Sequence, residues 1–561
     1  MKKTTKKRMI TSILAIYMLI TYLPVQVLAA GEIYVNNVST TLGMPLTDAY
    51  AIAGGGTVDK VSGGKIYAMT GSGLQEVGTT TAPPPSTGDG TVTPAPIGGT
   101  INLRTSTVKV GLYYYYSSSR DSSIASATLY LQNGSGFKLG YYDANRNFHE
   151  VGSTDNAAIT LIKDTNVTTA GGTVGCFHIK LNGTYSDFYS ANSAAAAYSD
   201  GFPAYYNGTY NVLVGQYQSR SAAESALASR GLAGTVYTAS NRCVVVTKTN
   251  STKILFEYDG GTTSSLAVRP VASSGKSLTK LGNDTFYGDF EFNRTQGNNM
   301  TIVNYVNIED YVKGVIPYEM SSSWPIEALK AQALCARTYA QSNFNTYKNY
   351  GFDLTDDTYS QVYRGITSAN TTTNAAVDQT AGQYVTYNGA FCSTLYFSSD
   401  GGATEDSENV FTTAYPYLRG IKDPFEASVV PAFTYQSWGG TYTPKELGAL
   451  LTRNGNSMGE IVSVTPSYTR IGNMAKIVYR DVNGKTLEVT KSRCYTSIGY
   501  QSIHFTITKN ANGNYVIKGG GWGHNVGMSQ WGAYAMAKYH GYSYAHILGF
   551  YYTGVRISTG V

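Results

Sequence analysis

Glu319 is the residue of this chain best placed to do chemistry. It stands in the run VKGVIPYEMSSSWPIEALKAQALCARTY, Val312 to Tyr339. The branched apolar residues of YVKGVIP stop at Pro317 and read as a strand, while Ile326, Leu329, Ala333, Ala336 and Ala340 recur at helical spacing. Glu319 is therefore expected on a short loop between a strand and a long helix, with Pro325 in the first helical turn and Ser322 or Ser323 as its cap. A carboxylate at such a junction can be held accurately enough to serve as a general acid. Tyr318, Met320 and Trp324 could supply an apolar pocket that favours its protonated form. Arg337 follows eighteen residues later on the same helix, where its guanidinium could hold Glu319 or grip a ligand's oxygens bidentately. The plainer alternatives are a glutamate in a turn and an arginine in a structural salt bridge.

Three later blocks offer further polar residues on Gly-rich or turn-like segments. Gln361 and Tyr363 stand in DTYSQVYRG (Asp357 to Gly365); Ser399, Gly401, Gly402 and Glu405 stand in YFSSDGGATEDSENVF (Tyr396 to Phe411). His524 and Gln530 stand in GGGWGHNVGMSQWG, which lacks the Lys of a phosphate-binding loop. All read as loop residues lining a binding groove, with the glycines allowing close backbone approach to a ligand. Glu405 is the main candidate for a second carboxylate. His524 could equally be a satisfied histidine in a Gly-rich turn.

The four blocks together, in order over some 250 residues, resemble the stage II sporulation protein D / LytB-like family: IPYEMSSSWPIEALKAQALCARTYA matches its signature nearly throughout. The resemblance implies a peptidoglycan lytic transglycosylase, with Glu319 as the catalytic glutamate and Arg337 as the family's arginine. In such an enzyme one carboxyl protonates the glycosidic oxygen and then takes the proton from the muramoyl 6-hydroxyl, closing a 1,6-anhydro ring. The substrate supplies the nucleophile, at high effective concentration. Hydrolysis would instead require a second carboxylate. The family's downstream Tyr and basic residue align loosely with Tyr417 and Arg419 of YPYLRGI; an Arg in place of a Lys has a fixed fork rather than a point charge. Some relatives hold zinc with a Cys and a His near the DTxxQVY block, which here has neither. The six histidines show no tetrahedral ligand spacing, so no metal and no cofactor are expected. The LytB side of the family implies a different role, a glycan-binding modifier of a partner amidase.

Composition bounds the partners. The net charge of +6 includes five basic residues in the first eight positions; without them about +1 remains, which gives no reason to expect nucleic acid. MKKTTKKRMITSILAIYMLITYLPVQVLAA reads as a signal peptide cleaved near Ala29 or Ala30, with an uncleaved anchor as the alternative. The expected location is secreted or cell-wall associated, with membrane contact only if that segment is retained. The expected partners are peptidoglycan glycan strands and other cell-wall hydrolases. Five scattered cysteines without a C-x-x-C read as single buried thiols rather than a disulfide scaffold. Forty-eight tyrosines and 61 glycines fit a β-rich extracellular chain.

The expected class is α+β, with a β-rich core around a central long helix. The expected order is signal peptide (1–30), short β-like segment (31–77), Pro/Gly/Thr linker (78–99), N-terminal β part (100–203), insertion (204–250) and catalytic core (251–561). The insertion has a strand from Tyr210 to Tyr217 and a short helix from Ala222 to Ala228. It resembles half of a sporulation-related repeat, a fold that binds glycan stripped of stem peptides.

Overall fold

The computed structural model describes residues 92–206, 208–294, 299–429 and 437–561 in full, and 33–34, 60–62, 65–70 and 73–79 as backbone only. The expected signal peptide lies outside the described residues, as does most of the expected linker. The backbone-only segments pair in order as a four-stranded sheet. The linker ends earlier than its composition suggests. Ile97–Ile101 is a strand running parallel to Arg556–Gly560, and Ala95 is buried with its amide on Ala545 O. Backbone pairing there overrides the local Gly/Pro content.

The chain divides into two compact units. The first comprises residues 104–318 and 343–369; the described part of the second comprises 92–103, 319–342 and 370–561. The expected catalytic core is thus shared between them. The first unit is sheet-dominated. A seven-stranded sheet has the order Phe148–Thr154, Gly134–Tyr142, Leu266–Ala272, Asp289–Asn293, Thr301–Asn307, Thr107–Tyr113, Leu354–Thr355. A ten-stranded sheet runs from Gly234–Tyr237 through Phe177–Leu181, Thr209–Tyr217, Gly201–Tyr206, Ile254–Asp259, Val244–Lys248, Ala158–Lys163 and Ser126–Leu131 to the hairpin 279–286. The 204–250 segment is woven into this sheet. Its helix, Arg220–Ser229, is capped by Ser219 and packs on three of its strands.

Helix α1 (Ile308–Glu319) corrects the strand expected before Glu319. Branched residues favour strands locally, but Ile308, Tyr311, Val312, Val315 and Ile316 are the buried hydrophobic positions, and their spacing is helical. Asn307 Oδ1 accepts the Glu309 amide at its start, and Gly314 lets the helix press on Tyr363 and Gly365, where a Cβ would lie 2.4 Å from the ring. Pro317 sits in the last turn. Glu319 is therefore the terminal residue of a helix.

Helix α2 (Ile326–Ser342) is the centre of the second unit. It packs against Thr371–Gln379, helix α3 (Gln530–His540), Tyr544–Tyr551 and strand Gln383–Tyr387. Leu329 and Leu334 are fully buried, each worth about 1.5–3 kcal/mol. The Pro325 carbonyl accepts the Ala328 and Leu329 amides, so Pro325 stands one position before the expected first turn, and Ser323 pairs with the Ser321 hydroxyl. Two three-stranded sheets complete the unit: 438–442, 515–519 and 505–509, and 461–468, 474–481 and 486–490. All five cysteines are free thiols, four of them buried. Among the described residues no helix is long and apolar enough to cross a membrane.

Candidate functional site

Glu319 is half-buried where α1 gives way to the loop leading into α2. Its Oε2 accepts a 3.2 Å hydrogen bond from Gln530 Nε2. Gln530 is the first residue of α3 and is 8% exposed, so its amide is presented from a rigid element. Ser529 caps this helix: its Oγ accepts the Gly532 amide at 3.1 Å and donates to Glu426 at 2.7 Å. Gln530, expected to hydrogen-bond a glycan, directs its amide at the Glu319 carboxylate.

Trp531, which follows Gln530 on α3, belongs to an aromatic cluster. Trp324, on the loop after Glu319, has its ring 4.7 Å from Trp531 and 5.1 Å from Tyr534, both on α3, and all three are partly exposed. Met320 is buried. Such π faces can take the C–H faces of sugar rings, and they limit water around a carboxylate.

Behind α3 lies a knot of three buried carboxylates, Asp400, Asp423 and Glu426, whose ligand-type oxygens fall within 4.8 Å of one another. Glu426 accepts from Ser399 Oγ, Ser529 Oγ and the Asp400 amide, and Asp423 accepts from Tyr551. Burial, then the neighbouring carboxylates, push Asp400 well above the ordinary carboxylate range and Glu426 upward. The arrangement ties the 399–402 turn to the start of α3.

Other sequence candidates have structural partners. Arg337 is fully buried, and its guanidinium donates to Val377 O and Gln383 O, each at 3.2 Å, with Thr380 Oγ1 at 3.5 Å. It thereby ties the C-terminal end of helix 371–379 to the start of strand Gln383–Tyr387. Tyr417 is buried and its hydroxyl accepts the Ser393 amide. Arg419 grips Glu408 with both terminal nitrogens, a closed ion pair. Glu405 is fully buried and accepts four hydrogen bonds, from the Asp406 amide, Asn409, Thr469 and Asn473. Gly401 (φ +70°) brings its turn against Gly520, where a Cβ would lie 2.5 Å from the carbonyl carbon; Gly402 also has positive φ, at +124°. The close approach that the glycines permit is to backbone. His524 is pushed down to about 4 by desolvation, so the neutral ring donates from Nε2 to Tyr396 O while Nδ1 accepts the Val526 amide. Gln361 and Tyr363 belong to the first unit and are buried there: Gln361 accepts from Tyr311, and Tyr363 donates to Asn304. These side chains were read as groove-lining because sequence shows polarity and not direction.

Residues 296–387, which include α1, Glu319 and α2, match the family described as stage II sporulation protein. The stage II sporulation protein D of Bacillus subtilis is 33% identical over 272 residues, 46% of this chain and 76% of its own. An uncharacterised protein of Brachyspira hyodysenteriae is 39% identical over 276 residues, 48% of this chain and 72% of its own. The amidase enhancer of Bacillus subtilis is 33% identical over 292 residues, 44% of this chain, and only 40% of that protein is covered. The chain belongs to the stage II sporulation protein D family.

Proposed function

We propose that the protein is a secreted peptidoglycan lytic transglycosylase, cleaving the β-1,4 bond between N-acetylmuramic acid and N-acetylglucosamine with formation of a 1,6-anhydro end. The observation that carries this reading is one partly exposed carboxylate, Glu319, oriented by Gln530, whose chain neighbour Trp531 packs with Trp324 and Tyr534. Glu319 donates its proton to the leaving oxygen. The resulting carboxylate then accepts the proton of the muramoyl 6-hydroxyl as that oxygen closes on the anomeric carbon, so the residue returns to its starting form. The aromatic rings seat the sugars, and Gln530 keeps the carboxylate aimed through both steps. Arg337 is a positioning residue: it fixes helix 371–379 and strand 383–387 against α2.

A muramidase has weaker support. Glu405, its candidate second carboxylate, has its oxygens committed to four donors and cannot turn to activate water. The similarity to an amidase enhancer supports one other reading, a glycan-binding modifier of a partner amidase. The location follows from the basic and apolar N-terminus, and the sporulation-related repeat proposed for 204–250 would favour glycan lacking stem peptides. Digestion of purified glycan with the full chain, with the new ends identified by mass spectrometry, separates the three readings. Anhydromuramoyl ends support the transglycosylase, reducing ends the muramidase, and binding without cleavage the modifier.

A further inference from the structure

A second group of chemically capable side chains lies in the ten-stranded sheet of the first unit, apart from the site above. His178 is on strand Phe177–Leu181, Glu257 on Ile254–Asp259, Cys243 immediately before Val244–Lys248, and Asp164 immediately after Ala158–Lys163. His178, Cys243 and Glu257 are wholly buried, and the Asp164 side chain is 4% exposed. Donor atoms of Asp164, Cys243 and Glu257 lie within 4.8 Å of one another. His178 Nε2 is 3.2 Å from Glu257 Oε2 and 3.9 Å from Asp164 Oδ1, and Cys243 Sγ is 3.5 Å from Glu257 Oε1.

Two features show what these atoms are arranged for. His178 Nε2 and Glu257 Oε2 face each other at 3.2 Å as an ion-pair contact, yet neither atom has a well-formed hydrogen bond. Buried polar atoms left this way are costly. The imidazole is also oriented from behind. Nδ1 lies 2.7 Å from Gly215 O, and its proton there leaves the Nε2 lone pair pointing at the two carboxylates. A ring nitrogen fixed by a backbone carbonyl is the usual outer contact of a metal-bound histidine. Glu257 has a matching support in the Tyr206 hydroxyl, 2.7 Å from Oε1.

We propose that His178, Cys243, Glu257 and Asp164 bind one zinc ion in a closed structural site. With zinc–ligand bonds of 2.0–2.3 Å, adjacent ligands of a tetrahedral ion stand roughly 3.3–3.8 Å apart. Asp164, Cys243 and Glu257 are the mutually close set, and His178 reaches it through Glu257 Oε2 at 3.2 Å and Asp164 Oδ1 at 3.9 Å, separations comparable with that range. One nitrogen, one sulfur and two carboxylate oxygens form a mixed donor set that suits zinc better than magnesium or calcium, which take oxygen. Binding releases the Cys243 proton, and the buried Arg294, which donates to Cys243 O at 2.9 Å, offsets part of the ligand charge. The ion would clip together strands that are not sheet neighbours, His178 being separated from Glu257 by two strands. The rival occupant is a proton on Nε2. Burial opposes the imidazolium, but the Glu257 and Asp164 charges raise His178 to about 9 overall, so a proton is a real competitor.

The test uses the full chain, purified without a histidine tag. Elemental analysis should find about one zinc per chain. Cobalt(II) added to chelator-stripped protein should give a thiolate-to-metal charge-transfer band, and zinc should raise the unfolding temperature. Cys243→Ser should abolish the charge-transfer band, and Tyr206→Phe, which leaves all four ligands in place, should weaken zinc roughly tenfold or more. Should the serine variant fail to fold, the wild-type stoichiometry and the Tyr206→Phe affinity still decide. Wild type without zinc, without a cobalt–thiolate band and with no thermal response to zinc would overturn the proposal in favour of the proton. Full zinc occupancy in a folded Cys243→Ser variant would overturn the ligand assignment.

Discussion

Replacing Arg337 by methionine keeps most of the stem volume and removes the guanidinium. The buried Val377 O, which keeps the Thr380 amide and hydroxyl, and the partly buried Gln383 O then lose their charged donor. Hydrogen bonds from a charged group contribute about 1.5–3 kcal/mol each. The two bonds share one group and are not additive, so the expected loss is about 3 kcal/mol. For a domain of roughly 150–250 residues this lowers the unfolding temperature by about 6–12 °C. The lysine variant, with one ammonium for two divergent carbonyls, should fall in between. Differential scanning calorimetry reads the loss. Glycan cleavage per folded molecule, measured well below the transition, should stay within about threefold of wild type if the role is packing. An unchanged unfolding temperature with cleavage down a hundredfold would refute the reasoning and return Arg337 to the reacting atoms.

Other consequences concern the surroundings of Glu319. Gln530→Leu should lower kcat by roughly tenfold to a hundredfold with the fold intact, because Ser529 and not Gln530 caps α3; near-normal kcat would remove Gln530 from the machinery. Glu405→Gln turns an amide group toward donors and should cost about 2–3 kcal/mol of stability without changing the product ends, whereas a switch of ends would make Glu405 chemical. Asp400 and Glu426 hold protons in the folded state at pH values where the unfolded chain has released them. Their contribution to stability is therefore complete below the ordinary carboxylate pKa of about 4 and is lost as pH rises through the raised folded values. Thermal unfolding followed from pH 4.5 to 8.5 should show the second unit weakening, with Asp400→Asn flattening that trend; an unchanged slope in the variant would contradict the assignment.

Much of this was legible in the sequence, for identifiable reasons. Helix α2 has a long apolar repeat, and Glu319 sits in a motif whose context is local. The residues before it were misread because Val312, Val315 and Ile316 are strand-forming side chains used on a helical face. Partners distant in sequence could not be read. Gln530 meets Glu319 across 211 positions, and the Asp400, Asp423 and Glu426 knot is assembled by tertiary packing alone. Tyr417, Arg419 and Glu405 show the other limit: composition gives polarity, while the fold decides that all three point inward. The His178 cluster escaped for the same reason, since its four residues follow no ligand spacing and meet only when the sheet forms.

The central claim is that Glu319 alone performs both proton transfers. Its most direct test compares the full chain with Glu319→Gln on purified glycan strands, following both binding and the chemistry of the new ends by mass spectrometry. The account predicts anhydromuramoyl ends from wild type and none from the variant, with glycan affinity retained. Anhydromuramoyl ends produced by Glu319→Gln at a rate near that of wild type would contradict it.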